Sequence, residues 1–206
     1  MSWSPLTPSR TEIEFVTSAA DASGFPRDRL PETAMVGRSN VGKSSVINAL
    51  ARQQVARTSA APGKTRLANF YRVTRHGTPR YLVDLPGYGY ARGGGTAAEE
   101  FRELAEAYFS RTTVQISALL LVDSRHPGLE ADLAAWEWLK ALPIPKAVIA
   151  TKADKLTRAE RARHAQQLTT VFDRPVPLVS AHSGEGLEEL WTLIARMPSP
   201  TETAAR

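Results

Sequence analysis

The chain has 206 residues, of which 42% are hydrophobic and 23% charged, so it is long and apolar enough to bury one sizeable core. The absence of cysteine excludes disulfides, thiolate metal sites and cysteine nucleophiles. No apolar run approaches the roughly 20 residues of a membrane-spanning helix, and the N-terminus lacks the pattern of a secretory signal, so we expect a cytoplasmic protein that does not engage a membrane. The net charge of +5 fits a polyanionic partner such as RNA as well as an ordinary basic protein.

Apolar segments of strand and helix length alternate along the chain. An edge strand is predicted at residues 12–16 and a second strand at residues 33–36. Further strands are predicted at residues 81–83, 118–122, 147–150 and 176–180, and helices at residues 97–110, 129–142, 158–171 and 187–197. Apolar strands that alternate with helices favour a three-layer α/β fold with a mostly parallel, six-stranded sheet. The predicted domain spans residues 12–197, between flexible tails at residues 1–11 and 198–206.

The sequence GRSNVGKS at residues 37–44 directly follows a predicted strand. It fits the pattern G-x-x-x-x-G-K-[ST], in which the glycines let backbone N–H groups turn toward a phosphate at the N-terminus of the next helix. Lys43 would place its charge on the β- and γ-phosphates, and Ser44 would be a magnesium ligand. The motif therefore predicts a phosphate-binding loop, or P-loop, made of Gly37, Arg38, Ser39, Asn40, Val41, Gly42, Lys43 and Ser44.

A second motif, Asp84-Leu85-Pro86-Gly87, ends another apolar strand. The Asp84 carboxylate would hold the magnesium ion through water, and the Gly87 amide would meet the γ-phosphate with no side chain in the way. Taken alone, this sequence is only a turn signal. Its position after a strand and downstream of the P-loop favours the nucleotide-binding interpretation.

Two further motifs follow the later strands and predict a site for the base. Asp154, in the sequence Thr151-Lys152-Ala153-Asp154, can accept hydrogen bonds from N1–H and the 2-amino group of guanine, and adenine offers neither donor there. The Lys152 stem would cover the base, and a backbone N–H at Ser180-Ala181 would donate to guanine O6. The predicted ligand is GTP or GDP, and the predicted base site contains Thr151, Lys152, Ala153, Asp154, Val179, Ser180 and Ala181.

A loop rich in glycine and proline at residues 59–65 lies between the first two motifs. A threonine in such a loop can bind magnesium only when the γ-phosphate is present, and thus act as a switch. Thr58 and Thr65 both qualify on this chemistry.

Together these segments resemble the EngB family (also called YsxC or YihA) of bacterial ribosome-biogenesis GTPases, whose fold is the P-loop G domain. The resemblance rests on GRSNVGKSS at residues 37–45, PGKT at 62–65, DLPGYGYA at 84–91 and TKADK at 151–155. It implies a role in assembling the large ribosomal subunit, made of rRNA and ribosomal proteins, and in normal cell division and septation. It also implies that Thr65 rather than Thr58 is the switch residue that ligates magnesium. Further nucleotide contacts are implied at Gly63, Lys64, Thr65, Arg66 and Leu67.

The residues expected to act in hydrolysis are Lys43, Thr65 and Gly87, with Mg²⁺ as the cofactor. The residue after Gly87 is Tyr88, where many small GTPases place a water-orienting glutamine, and a phenol cannot replace an amide in that role. Slow turnover without a partner is therefore expected. Two interpretations of Asn40 stay open: it holds a K⁺ ion beside the phosphates, as in related GTPases, or it caps its own loop.

Two rival functions are compatible with the motifs. The chain could be a GTP-gated binding module in which hydrolysis is incidental, or an ATP-using P-loop enzyme such as a small-molecule kinase. Asp154 argues against the second, because its carboxylate would lie unpaired against adenine. A monomer is expected.

Overall fold

The computed structural model describes residues 11–56, 67–88 and 96–197, with side chains in the last range from residue 99 onward. Most of both predicted tails lies outside these ranges, and so do Thr58, Gly63, Lys64, Thr65 and Arg66. What the sequence analysis expects of those residues stays a prediction.

Six strands form one sheet in the order β1-β3-β4-β2-β5-β6. The strands are β1 (Glu12–Ala19), β2 (Glu32–Gly37), β3 (Ala68–Arg75), β4 (Thr78–Asp84), β5 (Ile116–Asp123) and β6 (Lys146–Thr151). The pairs β4-β2, β2-β5 and β5-β6 are parallel, whereas β3 runs antiparallel to both of its neighbours. Only β3 therefore breaks the common strand direction, and the predicted mostly parallel, six-stranded sheet is confirmed.

Helices cover both faces of the sheet. They are α1 (Lys43–Ala51), α2 (Thr96–Phe109), α3 (Glu130–Ala141), α4 (Arg158–Phe172) and α5 (Leu187–Arg196). Tyr108, Trp136 and Phe172, from α2, α3 and α4, belong to the apolar cluster on one face, and Ile47 and Trp191, from α1 and α5, belong to the cluster on the other. The fold is thus the predicted three-layer α/β arrangement. Among the described residues, no helix is long and apolar enough to cross a membrane.

The first turn of α4 shows why a polar segment forms a helix here. The Thr157 hydroxyl accepts a hydrogen bond from the Glu160 amide at 3.3 Å, and the Glu160 carboxylate accepts one from the Thr157 amide at 2.8 Å. This capping box satisfies two amides that have no partner within the helix. By contrast, α1 begins after Gly42 with no side-chain cap, which leaves its first amides available to a ligand.

The prediction of a strand at residues 176–180 is wrong. This segment makes only one isolated bridge, between Leu178 and Ala150. Pro175 and Pro177 flank the apolar residues and lack N–H groups, so a continuous ladder cannot form. The sixth strand is instead β3, which the sequence analysis missed.

The turn between β3 and β4 carried a sequence signal for that missed strand. His76 and Gly77 connect the two strands, with φ values of 51° and 75°. Positive φ at both central residues is what a two-residue hairpin turn requires. After this turn β3 pairs residue by residue with β4, from Asn69 opposite Asp84 to Arg75 opposite Thr78.

A buried ion pair holds the opposite end of the sheet from the predicted motifs. Glu32 begins β2 and is 3% exposed, and its carboxylate accepts two hydrogen bonds from the Arg111 guanidinium, at 3.0 and 2.5 Å. The same guanidinium lies over the rings of Phe25 and Tyr108, at 4.7 and 4.5 Å from their centres. Arg111 therefore both neutralises a buried carboxylate and covers apolar rings.

We expect Arg111→Met to lower the free energy of unfolding by about 3 kcal/mol, because it strands the Glu32 charge in the interior. The matched control is Lys140→Met, which breaks the exposed pair between Lys140 and Glu137 and should cost less than about 1 kcal/mol. Urea denaturation of the nucleotide-free protein measures both. Equal effects of the two substitutions would contradict the structural role of Arg111.

Candidate nucleotide-binding site

The predicted motifs meet at one edge of the sheet. The P-loop follows β2, Asp84 ends β4 and Thr151 ends β6, and these strands are parallel members of the same sheet. The carboxyl ends of parallel strands lie at a common edge, where α/β proteins bind their ligands. Three motifs that are far apart in the chain are therefore neighbours in space.

Two residues of the P-loop adopt a left-handed backbone conformation before α1 begins. Gly42 has φ of 111° and Asn40 has φ of 62°. The first value lies in a region that L side chains rarely adopt, which explains the glycine. Asn is among the few residues that tolerate the second. These turns place the loop in front of the uncapped start of α1, at Lys43 and Ser44.

The Lys43 ammonium lies across the P-loop. It donates hydrogen bonds to the carbonyl groups of Gly37 at 3.1 Å and Arg38 at 3.3 Å. Burial lowers the pKa of Lys43, and the nearby negative charge of Asp84 opposes that shift. An ammonium has three N–H bonds, so the two described contacts leave one for a phosphate oxygen.

Ser44 and Asp84 form the part of the site that fits a magnesium ion. The Ser44 hydroxyl donates to Asp84 Oδ2 at 2.6 Å. Asp84 is buried, and its other oxygen, Oδ1, has no hydrogen-bond partner among the described residues. Burial raises the pKa of Asp84, while Lys43 and the Ser44 hydrogen bond act in the opposite direction. An unsatisfied buried carboxylate beside a hydroxyl is a donor set that Mg²⁺ prefers, so the residues present fit the ion.

Gly87 brings the segment after β4 into contact with the P-loop. A Cβ atom on Gly87 would lie 2.6 Å from the Ser39 nitrogen and 2.7 Å from its Cα, so no larger residue fits without displacement. The Ser39 amide donates to the Tyr88 carbonyl at 3.2 Å. Leu85 and Pro86 are buried between the strand and this contact. Leu67 is exposed and lies just before β3.

Lys152 joins the predicted base site to the P-loop. Its ammonium donates to the Asn40 carbonyl at 2.7 Å and to Asp123 Oδ2 at 2.8 Å. Its neighbour Thr151 donates through its hydroxyl to the Val41 carbonyl at 2.6 Å. Lys152 itself has φ of 63°, a conformation that these contacts maintain.

Asp123 is a site residue that the sequence analysis missed. It ends β5, just as Asp84 ends β4, so a carboxylate at the end of an apolar strand was the available signal. Burial raises the pKa of Asp123, but hydrogen bonds from Arg125 and Lys152 outweigh burial and hold the pKa well below its ordinary value. Asp123 therefore stays ionised and anchors Lys152.

A hydrogen bond from Ser180 orients the Asp154 carboxylate, which is the predicted acceptor for the base. Asp154 Oδ1 accepts a hydrogen bond from the Ser180 hydroxyl at 2.7 Å, and this contact is the main reason that the pKa of Asp154 is lowered. Ser180 Oγ in turn accepts from the amides of His182 and Ser183. The carboxylate is thus ionised and oriented, as recognition of two guanine N–H groups requires.

Val179 and Ser180 act mainly as supports in this arrangement. The Val179 carbonyl accepts a hydrogen bond from the Ala153 amide at 3.1 Å, and the Ser180 amide donates to the Glu185 carbonyl at 2.9 Å. Because the Ser180 amide is occupied, the Ala181 amide is the better candidate donor to guanine O6.

A groove of about 680 Å³ runs from this base site along α1. Lys152, Asp154 and Ala181 line one end, and Asn48, Arg52 and Gln54 line the other. A groove of this size accommodates a nucleoside. The groove therefore joins the predicted base site to Gly42, at the end of the P-loop.

Comparison with known proteins agrees with this geometry. Residues 32–152 match a family model described as 50S ribosome-binding GTPase. The chain is 44% identical over 188 residues to a probable GTP-binding protein EngB of Heliobacterium modesticaldum, covering 89% of this chain and 90% of that protein. It is 46% identical over 188 residues to that of Solibacter usitatus, covering 90% and 96%. The chain belongs to the EngB family of GTP-binding proteins.

Solved structures show the same fold beyond the EngB family. Era from Aquifex aeolicus, bound to GDP and AlF4⁻, superposes with a TM-score of 0.70 at 21% identity, covering 83% of this chain and 58% of Era. The FeoB G domain of Methanococcus jannaschii superposes with a TM-score of 0.54 at 22% identity, covering 80% of this chain and 95% of that domain. The predicted P-loop G-domain fold is confirmed.

The base site predicts a change of nucleotide specificity. We expect Asp154→Asn to weaken GDP binding by at least about a hundredfold and to admit xanthosine diphosphate, because an amide N–H can donate to the 2-oxo group of xanthine. Competition with a fluorescent nucleotide measures both affinities. Asp173→Asn, at an exposed helix end, is the matched control and should change neither. Equal affinity of the unmodified protein for GTP and ATP would contradict the assignment of Asp154.

Proposed function

We propose that this EngB-family chain is a magnesium-dependent GTPase that converts GTP and water to GDP and phosphate slowly by itself. We further propose that it assists assembly of the large ribosomal subunit, and through it normal cell division and septation, as a monomer in the cytoplasm. The observation that carries the ribosomal part is the match of residues 32–152 to the 50S ribosome-binding GTPase family. The net charge of +5 suits an rRNA partner.

The proposed site residues would neutralise the charge of the phosphates and position the nucleotide and Mg²⁺. Lys43, already held over the P-loop carbonyls, would neutralise the β- and γ-phosphates. Gly87 would bring its backbone close to the γ-phosphate, and Ser44, Thr65 and the water-linked Asp84 would hold Mg²⁺. The bound ion would supply charge stabilisation to the phosphates during transfer.

The position of Tyr88 supports slow turnover. Its hydroxyl donates to Asp132 Oδ1 at 2.9 Å. Because the hydroxyl proton is engaged there, it is not free to orient the attacking water. Era, a structural neighbour, has been solved in complex with MgGDPNP and nucleotides 1506–1542 of 16S rRNA. Era thus binds both a GTP analogue and rRNA, which agrees with an RNA-containing partner for the present chain.

Co-sedimentation and single-turnover hydrolysis test the proposal together. We expect the chain to pellet with large ribosomal subunits when it holds a non-hydrolysable GTP analogue and to remain in solution with GDP. The rate of phosphate release should rise at least about tenfold when large subunits are added, since a partner supplies the missing transition-state contact. Small subunits and Lys43→Ala are the controls.

The outcomes of that experiment separate the rival functions. Nucleotide-dependent pelleting without a faster rate would favour the GTP-gated binding module, which Tyr88 also permits because its hydroxyl is already engaged. No association in either nucleotide state would contradict the ribosomal role while leaving GTP binding intact.

Asn40 is the proposed ligand of a K⁺ ion. Its carbonyl is occupied by Lys152, its side chain is exposed, and within the described residues that side chain makes no hydrogen bond to its own loop. A cation beside the phosphates would supply charge that an arginine finger provides elsewhere. Among the described residues the Asn40 side chain has no hydrogen bond of the kind that loop capping needs, which supports the K⁺ proposal.

We therefore expect GTP hydrolysis to be several-fold faster in potassium than in sodium at equal ionic strength, a difference of about 1 kcal/mol. Asn40→Ala should remove this difference and leave GDP affinity nearly unchanged. Asn69→Ala, on β3, is the matched control. Equal rates of the unmodified protein in both salts, with and without large subunits, would show that Asn40 is structural.

A further inference from the structure

A buried carboxylate outside the sequence motifs joins two of the nucleotide loops. Asp132 lies in the first turn of α3 and is 1% exposed. Its Oδ1 atom accepts a hydrogen bond from the Tyr88 hydroxyl at 2.9 Å and another from Arg38 Nε at 3.0 Å. Arg38 belongs to the P-loop, and Tyr88 directly follows the Asp84 motif. One oxygen atom therefore ties the P-loop, the segment after β4 and α3 together.

Backbone contacts also link the P-loop to the segment after β4. Arg38 and Tyr88 form a parallel bridge, and the Ser39 amide donates to the Tyr88 carbonyl at 3.2 Å. Immediately before Tyr88, the Gly87 backbone lies so close to Ser39 that a Cβ atom would not fit. A shift of Tyr88 must therefore move Gly87 relative to the P-loop.

The chemistry of the cluster makes Asp132 an acceptor and Tyr88 a donor. Burial raises the pKa of the Tyr88 hydroxyl, and the neighbouring Asp132 raises it further, so the phenol keeps its proton. The other oxygen of Asp132, Oδ2, is buried without a hydrogen-bond partner among the described residues. A half-satisfied buried carboxylate destabilises a fold, so its presence at this position calls for a role beyond packing.

The Tyr88 ring is held separately from its hydroxyl. It packs against Phe101 of α2, with ring centres 6.2 Å apart. Loss of the hydroxyl alone would keep this packing and release only the link to Asp132. This separation allows the link to be tested without disturbing the core.

We propose that Asp132 is a positioning residue for GTP hydrolysis. It holds Tyr88 and Arg38 together and so fixes the position of the Gly87 backbone relative to the P-loop. The inference rests on the proposed GTPase activity and extends it to a residue outside the motifs. Asp132 reaches the P-loop only through the Arg38 side chain and the segment after β4 only through the Tyr88 hydroxyl, so its effect on hydrolysis passes through these two residues. Small displacements of groups around a reacting phosphate cost large factors in rate, so the link should affect hydrolysis more than nucleotide binding.

The test compares two tyrosines that make the same kind of hydrogen bond. Tyr88→Phe removes the hydroxyl that contacts Asp132, and Tyr81→Phe removes a hydroxyl that donates to Asp28 at 3.0 Å from the middle of β4. We expect Tyr88→Phe to lower the single-turnover rate at saturating GTP about tenfold and to change GDP affinity by less than about twofold. Tyr81→Phe should match the unmodified protein in both measurements.

A second variant tests the carboxylate itself. Asp132→Asn should lower the same rate by a similar factor. The double variant Tyr88→Phe/Asp132→Asn should be no slower than the slower single variant, because both remove one shared link. If Asp132→Asn does not fold, Tyr88→Phe, which deletes a single oxygen atom, decides the question alone.

Three results would overturn the inference. The first is an unchanged or faster single-turnover rate in Tyr88→Phe. The second is a loss of that rate matched by an equal loss of GDP affinity, which marks a purely structural contact. The third is a loss of rate in the double variant that equals the combined losses of the two single variants. Failure of the proposed function is distinguishable, since the unmodified protein would then hydrolyse no GTP under any of these conditions.

Discussion

The site depends on how the carbonyl groups of the P-loop are held. Lys43 donates to the carbonyls of Gly37 and Arg38, Lys152 donates to that of Asn40, and Thr151 donates to that of Val41. A peptide group has a donor and an acceptor on opposite sides, so carbonyls that are fixed on the protein side favour amides that face a ligand. Two lysines thus shape an anion-binding loop before any nucleotide enters.

Three buried carboxylates at the same sheet edge have different surroundings, and their proposed roles differ accordingly. Asp123 is paired with Lys152 and Arg125, which keeps its pKa low and makes it an anchor. Among the described residues one oxygen of the buried Asp84 carboxylate has no hydrogen-bond partner, which leaves it available to a cation. Asp132 shares one oxygen between Arg38 and Tyr88, so it links loops rather than binding a ligand. The same side chain therefore anchors, attracts a metal ion or positions a loop according to the donors that face it.

The comparisons separate what belongs to the fold from what belongs to the family. Era and FeoB superpose on this chain at only 21% and 22% identity, so the overall fold extends beyond the family. The EngB relatives match at 44% and 46% identity over most of the chain. The segment around Gly87 and Tyr88 belongs to DLPGYGYA, one of the sequences that carry the resemblance to the family, and in the structure it contacts both the P-loop and α3.

Local patterns in the sequence were enough to predict the fold class and most helices and strands, and to identify the four motifs. The P-loop is a run of eight neighbouring residues, and the helices have apolar stripes, so both can be recognised without knowledge of contacts. The strand at residues 176–180 was wrong because two prolines outweighed its apolar pattern. The β3 strand was missed although the turn at His76 and Gly77 marked it.

Tertiary structure alone decided which residues meet across the site. Asp132 is 94 positions from Arg38 and 44 from Tyr88, and Lys152 is 112 positions from the Asn40 carbonyl. No periodicity or local spacing encodes such contacts, because they form only when parallel strands bring their carboxyl ends to one edge. The sequence by itself determined that this chain has the parts of a GTP site, and the folded sheet determined which side chains hold those parts in place.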